Sequence, residues 1–227
     1  MRRHSGLPGI LRPQSAGVSD GIIRTGGSHE LDESFRRRSG SDNRARHRRV
    51  WRPSGGARTV AMASGAVIGD GNVTSIPEGF RHWTFLGAPL TPNGLNGGAA
   101  GFPEFHHVYI HPDALAEFEL TGVFPEGTTI VKELVLMHEG GYEDGSRDEP
   151  SGRGFFAKSF NGIDMMVKDS DRFADTNGWG FFNFGHHEPP YAETATAASA
   201  AECASCHADN ATTEMVFGKF YPILGQN

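Results

Sequence analysis

"GTTIVKELVLM", residues 127 to 137, is the strongest β-strand signal in the chain, because β-branched and aliphatic residues follow one another directly after a glycine. Alternate residues of a strand point to the same side of a sheet. One face of this strand is therefore predicted to carry Ile130, Lys132, Leu134 and Leu136. A lone ammonium among three branched aliphatics is costly to bury unless it is paired or neutralised. Lys132 is thus either a reactive amine in a buried site, or a lysine that protects an edge strand or reaches past the rim of the sheet.

The sequence on both sides of this strand predicts further strands and a helix. "FHHVYI" (105 to 110) is typical of a strand, and "HPDALAEFELTG" (111 to 122) predicts a short helix that ends at a glycine. Three more strands are predicted at 155 to 160, 163 to 169 and 179 to 185. The segments between these three, "NG" and "DTNG", favour hairpin turns and hence antiparallel pairing.

The remaining segments complete the predicted architecture. Residues 139 to 154 are polar, lack apolar periodicity and are predicted as a loop, whereas the residues after about 197 are predicted as short helices. The predicted fold class is α+β, mainly an antiparallel β-sheet with short helices and a C-terminal segment that binds a cofactor.

The charge of the chain is unevenly distributed. Residues 1 to 62 hold 13 arginines, no lysine and 5 acidic residues, and residues 63 to 227 hold 8 basic and 22 acidic residues, so the two parts carry net charges of +8 and −14. The first part is poor in aliphatic residues and cannot bury enough apolar surface to offset the entropy of ordering. We predict that residues 1 to 62 are a disordered Arg-rich extension or the result of a misassigned start, and that residues 63 to 227 form one domain.

The composition argues against two classes of partner. The arginines of the first part are not interleaved with aromatic residues and no recognition module accompanies them, so we predict no nucleic-acid partner. A membrane-spanning helix needs about 20 apolar residues, and we predict no membrane span. The best candidate for a signal peptide, "TVAMASGAVIG" (59 to 69), is short and weakly apolar, so no export signal is recognisable in this reading frame.

Both cysteines of the chain lie in "AECASCHADN", residues 201 to 210. Cys203, Cys206 and His207 form C-x-x-C-H, the attachment signature of c-type haem. The spacing has a physical reason, because two thiols one helical turn apart can each reach a vinyl group of the same porphyrin, and the next histidine is turned under the iron. The motif predicts one covalently bound haem c with His207 as the metal ligand. A redox dithiol, which favours a βαβ setting, and a zinc site, which needs two more ligands, are the alternatives.

The position of the motif bears on the kind of haem protein. An ordinary electron-carrying cytochrome c is mostly helical, has this motif near its N-terminus and supplies a methionine as the second axial ligand. Here the motif follows a long stretch of strand pattern, and Met215 comes too soon after His207 to cross easily to the opposite haem face. A vacant sixth position is therefore favoured, and five-coordinate iron binds small molecules. Because haem c is assembled outside the reducing cytoplasm, the motif also predicts a periplasmic location.

Eight short motifs, in their order along the chain, resemble the cytochrome P-460 family over residues 77 to 225. They are "LGAPLTPNGLNGG", "FPEFHHVYI", "GTTIVKEL", "GRGFF", "VKDSDRF", "WGFFNFG", "CASCH" and "FYPIL". The resemblance implies a periplasmic c-type haem protein built on an antiparallel sheet and commonly homodimeric. Enzymes of this family oxidise hydroxylamine, with nitric oxide chemistry at the same iron, and carry a bond between a lysine and the porphyrin, which the resemblance places at Lys132. A sister group, the β-form of cytochrome c-prime, shares the fold, lacks this bond and binds nitric oxide or other gases.

The resemblance also implies a carboxylate near the distal face of the haem. Matching "GRGFFAKSF" places that position near Ser159, and a serine is a poor general base at neutral pH. Asp164, on the alternate face to Ile163 and Met165, is predicted to be solvated rather than catalytic. The loop "GHHEPP" (185 to 190) is predicted to lie at the surface, with a position at the haem edge as the alternative for its histidines.

We therefore predict an enzyme that oxidises hydroxylamine at a five-coordinate haem, forms nitrogen oxides and passes electrons to a cytochrome. Lys132 and Ser159 are its predicted catalytic residues, and the predicted cofactor-binding residues are Cys203, Cys206, His207 and Lys132. The predicted assembly is a homodimer. One alternative is a non-enzymatic protein that binds nitric oxide or other gases, which Ser159 favours and Lys132 opposes. A simple electron carrier is a further alternative and would require a sixth protein ligand.

Overall fold

Five antiparallel strands form the main sheet in the order β2-β3-β4-β7-β8. Their bounds are Thr84–Gly87 (β2), Phe105–Ile110 (β3), Thr129–Met137 (β4), Ala157–Lys168 (β7) and Trp179–Asn183 (β8). The structure is a computed structural model and describes residues 65–225. The predicted extension at residues 1 to 62 lies outside the described residues, so that boundary stays a prediction. Because β4 is the central strand, the interpretation of Lys132 as an edge-strand lysine is wrong.

Smaller elements complete the α+β architecture, which confirms the predicted fold class. The short strands are β1 (Val73–Ser75), which pairs with β9 (Thr194–Thr196), and β5 (Arg147–Glu149), which pairs with β6 (Gly152–Gly154). The β5–β6 hairpin lies in the stretch predicted as a loop. The helices are α1 (Pro112–Thr121) and α2 (Ser205–Asn210), with a π-helix at Ala200–Ala204. No helix within residues 65–225 is long and apolar enough to cross a membrane.

Strand β7 departs from the prediction, because it runs unbroken through the "NG" at residues 161 and 162 that predicts a hairpin turn. Its pairing with β4 shifts register there, with Leu134 opposite Gly162 and Val135 opposite Phe160, so Asn161 is an extra residue in a β-bulge. Gly162 is needed for packing rather than for a turn. A Cβ at this position would lie 2.9 Å from the carbonyl oxygen of Gly185, so the glycine lets a loop approach the sheet.

The register of the strands sorts the side chains of the sheet into rows. One row across four strands consists of Val108, Lys132, Asp164 and Asn183, and the next row consists of Ile110, Ile130, Met166 and Phe181. We call the face that carries these two rows the motif face. The apolar row packs in one core cluster with Leu115 and Phe118 of α1 and with Ala204 and Met215 of the C-terminal segment. The C-x-x-C-H motif is thereby placed on the same side of the sheet as Lys132.

The other face of the sheet, which we call the opposite face, has its own core. Val131, Met165 and Phe182 pack there against Phe80 and against Ala195 of β9. Glu133, the neighbour of Lys132 on β4, also points to this face, is fully buried, and accepts a hydrogen bond from Arg81 Nε at 3.1 Å. Residues 132 and 133 therefore place opposite charges on opposite faces of the same strand.

Candidate functional site

A capping box at the start of the helix stabilises the helical conformation of the C-x-x-C-H motif. Ser199 is the N-cap of the π-helix, and its backbone N–H donates to the Glu202 carboxylate at 2.8 Å, which completes a capping box. The helix continues into α2, so Cys203 and Cys206 lie one turn apart. Both thiols are free, with Cys203 half-buried and Cys206 exposed. This arrangement presents two sulfur atoms on neighbouring turns, as the motif predicts.

The imidazole of His207 is held on three sides. Its ring packs against Phe181 and Phe217, with centroids 4.8 Å apart in each case. Its Nδ1 donates to the carbonyl oxygen of Met215 at 2.7 Å, which leaves Nε2 as the nitrogen that could bind a metal. Burial lowers the pKa of His207 and the charge of Lys132 acts in the same direction, while the hydrogen bond to Met215 opposes them. The neutral imidazole, the form that binds a metal, is therefore favoured.

The surroundings of the thiols argue against a redox dithiol and a zinc site, the two alternatives to haem. Burial raises the pKa of Cys203, and the nearby carboxylates of Asp164 and Glu202 add to this effect, so Cys203 is not the activated thiolate of a redox dithiol. Within the described part of the chain, no group of three or more His, Cys, Asp or Glu residues is placed to hold a metal ion. The two further ligands that zinc requires are thus not gathered around Cys203 and Cys206. The donor set and its geometry fit a haem held by two thioethers and one imidazole.

Lys132 lies on the motif face, one row beyond the row of Phe181 against which His207 packs. Two residues along a strand correspond to about 7 Å, so the amine lies within reach of a cofactor bound at the motif. Its Nζ is 2.8 Å from Asp164 Oδ2 and 3.9 Å from the centre of the Phe102 ring, and 26% of the side chain is exposed. An ion pair and an aromatic face therefore fix the position of this amine.

Asp164 is not solvated as predicted, since only 23% of its side chain is exposed. Besides Lys132, its carboxylate accepts hydrogen bonds from His186 Nε2 at 3.0 Å and from Asn183 Nδ2 at 2.7 Å. Burial alone would raise the pKa of Asp164, but the hydrogen bonds and charges of His186 and Lys132 hold it at about 2. The strand pattern identified the correct face, and the error arose because a distant loop covers that face.

That loop contains His186, which was predicted to lie at the surface. The side chain is 40% exposed, which confirms this prediction, while its Nε2 is bonded to Asp164 and its ring packs edge-on against Phe102 with centroids 5.6 Å apart. The hydrogen bond to Asp164 is the main cause that raises the pKa of His186. Gly162 lies directly beneath this loop, which is why the sequence needs a glycine there.

Ser159 contacts a carboxylate that the sequence alone did not place there. Its hydroxyl donates to Glu188 Oε1 at 3.3 Å, across 29 residues of sequence. Ser159 is half-buried and Glu188 is exposed, so the pair lies at the rim of the sheet. The position matched to a distal carboxylate therefore holds a serine with a glutamate next to it, supplied by the loop that also carries His186.

Further polar groups extend the motif face beyond the row of Lys132. Glu104 is buried and accepts a hydrogen bond from Asn161 Nδ2 at 2.8 Å. Burial lowers the pKa of His106, and the charge of Lys132 adds to this effect. The motif face thus changes from apolar at Phe181 to polar at Glu104, with the amine of Lys132 at the transition.

An antiparallel sheet that carries a C-x-x-C-H helix beside a lysine–aspartate pair defines an α+β haem-binding protein. The family model for Cytochrome P460 matches residues 77–218, which include every residue placed at the site above. The chain belongs to the cytochrome P460 family of haem proteins, as the resemblance predicts, and the match includes seven of the eight motifs and ends before "FYPIL". The comparison with curated protein sequences gave no match.

Proposed function

We propose that the chain is a c-type haem enzyme that oxidises hydroxylamine to nitrogen oxides. The observation that carries this proposal is the position of Lys132, whose amine lies on the central strand, on the motif face, one row from the residues that pack against His207. Membership of the cytochrome P460 family supports it. A lysine in this position is what the hydroxylamine-oxidising members require for their porphyrin bond.

Three residues of the motif would hold one haem. Cys203 and Cys206 would supply the thioethers, and His207 Nε2 would be the axial ligand. When bound, the iron supplies a centre that accepts electrons from hydroxylamine and passes them on. Met215 would not be a second protein ligand of the iron, because its sulfur is buried and accepts a hydrogen bond from Asn177 Nδ2 at 3.4 Å.

The polar groups of the motif face would accept the protons that leave hydroxylamine. Asp164 and His186 form a hydrogen-bonded carboxylate–imidazole pair, in which the imidazole can take up a proton and the ionised carboxylate stabilises the imidazolium that forms. Glu188 is a second proton acceptor at the rim, and Ser159 orients it by donating a hydrogen bond. The predicted catalytic role of Ser159 is thereby reduced to positioning a neighbouring base.

The proposal is tested by mass analysis of a tryptic digest of the holoprotein. We expect the peptide that contains Lys132 to be recovered together with the haem peptide of Cys203 and Cys206, and hydroxylamine to reduce an added cytochrome acceptor. Lys132→Arg keeps a cation opposite Asp164 and should abolish both the cross-linked peptide and the turnover. Lys158→Arg, at an exposed lysine on β7, is the matched control and should change neither. Recovery of the Lys132 peptide free of haem in the wild type would exclude the enzyme.

Ser159 favours a second candidate function, a gas-binding protein of the β-form of cytochrome c-prime. A serine at the matched position is itself a poor base, and the neighbouring Glu188 is exposed and held by a single hydrogen bond at 3.3 Å. This alternative predicts tight binding of nitric oxide without turnover of hydroxylamine and without the cross-linked peptide. The same digest, combined with a titration with nitric oxide, separates the two functions.

Compartment, partner and assembly follow from the proposed chemistry. Thioether attachment requires thiols handled outside the reducing cytoplasm, so we propose a periplasmic location. Residues 63 to 227 carry a net charge of −14, which would attract a basic cytochrome as electron acceptor. Phe85 and Phe160 of the main sheet are 48% and 40% exposed, and we propose that such aromatic surface contributes to a homodimer. Light scattering of the holoprotein tests the dimer.

A further inference from the structure

The hydrogen bond between His207 Nδ1 and the carbonyl oxygen of Met215 determines how the imidazole is presented to a metal. A hydrogen bond at Nδ1 fixes the tautomer and the ring orientation, and it raises the basicity of the ligand nitrogen. The position of this one carbonyl group therefore affects any iron bound at Nε2. The structure around Met215 shows what holds that carbonyl in place.

Glu214, the residue before Met215, has an unusual backbone conformation. Its φ is +53°, in the left-handed region that residues with a Cβ seldom adopt and that persists only where the surroundings stabilise it. Its carboxylate Oε1 accepts a hydrogen bond from the backbone N–H of Phe124 at 3.0 Å. The conformation that presents the Met215 carbonyl is therefore anchored to a different part of the chain.

Lys168 completes the anchor from the end of β7. Its Nζ donates to Glu214 Oε2 at 2.7 Å and to the carbonyl oxygen of Phe124 at 2.7 Å, and only 11% of the side chain is exposed. The three residues thus join the sheet, the segment after α1 and the C-terminal segment through charged hydrogen bonds. We call this arrangement of Lys168, Glu214 and Phe124 the carboxylate clamp.

An ion pair in which only the lysine is buried is weak evidence for stability alone, because well-packed apolar residues often serve as well. What the carboxylate clamp does define is the position of residue 214 and, through it, of the Met215 carbonyl. We propose that Lys168 and Glu214 are positioning residues for the axial ligand and that they lower the reduction potential of the haem by maintaining the hydrogen bond at His207. This inference rests on the proposed haem site and extends it.

The test compares the haem reduction potential of the holoprotein with that of Lys168→Met, Glu214→Gln and the double variant. Loss of the hydrogen bond makes His207 a weaker donor to ferric iron, so we expect all three potentials to rise. A tenfold loss of preference for the ferric state corresponds to about 59 mV for a one-electron couple. The iron–histidine stretching frequency of the ferrous protein, read by resonance Raman spectroscopy, should fall in parallel.

The signs of the shifts distinguish positioning from a simple charge effect. Removing the lysine charge would by itself lower the potential, removing the glutamate charge would raise it, and removing both would leave it nearly unchanged. Arg81→Met breaks an ion pair on the opposite face, where Glu133 is fully buried, and is the matched control for lost stability. We expect this variant to be destabilised without the rise of potential predicted for the Lys168 and Glu214 variants.

Four outcomes would overturn the proposal. Shifts of opposite sign in the single variants, with no shift in the double variant, would overturn the positioning role in favour of a charge effect. If a single variant does not accumulate, the charge-neutral double variant still decides, and an unchanged potential there would overturn the proposal. A wild type without covalent haem would overturn the proposed function and this inference together, whereas a haem-loaded wild type with unaltered variants would overturn this inference alone.

Discussion

Two lysine–carboxylate pairs lie on the motif face, about 13 Å apart along β7, and they differ in what surrounds them. Lys168 donates to a backbone carbonyl as well as to Glu214, and only 11% of its side chain is exposed. Lys132 is bonded to Asp164 beneath a ring of Phe102 and is 26% exposed. The first pair joins segments that are distant in sequence, whereas the second joins neighbouring strands of the same sheet.

The difference indicates which pair is free to do chemistry. Every bond of the Lys168 pair holds the backbone on the His207 side of the site, so removing it should disturb the fold. Asp164 keeps His186 and Asn183 as hydrogen-bond partners if Lys132 is lost. The amine of Lys132 can therefore leave its ion pair without leaving the Asp164 carboxylate unpaired. A lysine that can be released at low cost is suited to forming a covalent bond.

The largest expected difference between the two pairs is in stability. Lys168→Met leaves the Phe124 carbonyl oxygen without its charged donor and Glu214 with one partner, the Phe124 N–H, and should lower the free energy of unfolding by about 2 to 3 kcal/mol. Lys132→Met leaves Asp164 with two partners and should lower it by about 1 kcal/mol. Urea unfolding of both variants measures the difference. Equal losses would show that the two pairs play the same structural role.

A smaller effect is expected in the acid stability that Asp164 provides. The pKa of Asp164 lies at about 2 in the folded protein, below its ordinary value of 3.8. A depressed pKa stabilises the fold above pH 4, and this contribution of roughly 2 kcal/mol is lost as the pH falls from about 4 to 2. Asp164→Asn should flatten the stability profile in that window, which urea unfolding at a series of pH values measures. If the free energy of unfolding of Asp164→Asn fell at low pH as steeply as that of the wild type, this would contradict the burial and bonding described for this carboxylate.

The smallest expected effect concerns the loop whose His186 covers the Lys132–Asp164 pair. Gly162→Ala would place a Cβ 2.9 Å from the Gly185 carbonyl oxygen and 3.1 Å from His186 Cδ2, at a cost of about 1 kcal/mol. The loop should then lift His186 from Asp164, so that the raised pKa of His186 returns toward its ordinary value. An NMR titration of His186 measures this shift, and Gly101→Ala, where a Cβ meets nothing within 4 Å, is the control. An unchanged titration in Gly162→Ala would mean that the loop accommodates the methyl group.

Much of the fold could be predicted because its signals are local. The alternation in "GTTIVKELVLM" placed Lys132 on the correct face, the terminal glycine marked the end of α1, and the spacing of Cys203 and Cys206 indicated the helix of the motif. The "NG" of β7 was misinterpreted because a glycine needed for the close approach of a loop looks the same in sequence as a glycine needed for a turn.

The rest of the site depends on contacts that no local pattern encodes. Asp164 meets His186 across 22 residues, Ser159 meets Glu188 across 29, and Lys168 meets Glu214 across 46. Each of these pairs joins a strand of the sheet to a loop or to the C-terminal segment. Sequence patterns identify which face of a strand is turned inward, but they do not identify which distant segment covers it.

The place of the motif at the end of the chain has a consequence for the order of assembly. The strands between Phe105 and Asn183 precede Cys203 in the chain, so in a chain exported from its N-terminal end they emerge first and can pair before the last segment arrives. Once the sheet has formed, docking of the last segment half-buries Cys203 while Cys206 stays exposed. Under the proposed function, thioether formation at Cys203 would compete with docking, and it would occur most readily on a newly exported chain whose last segment is still undocked.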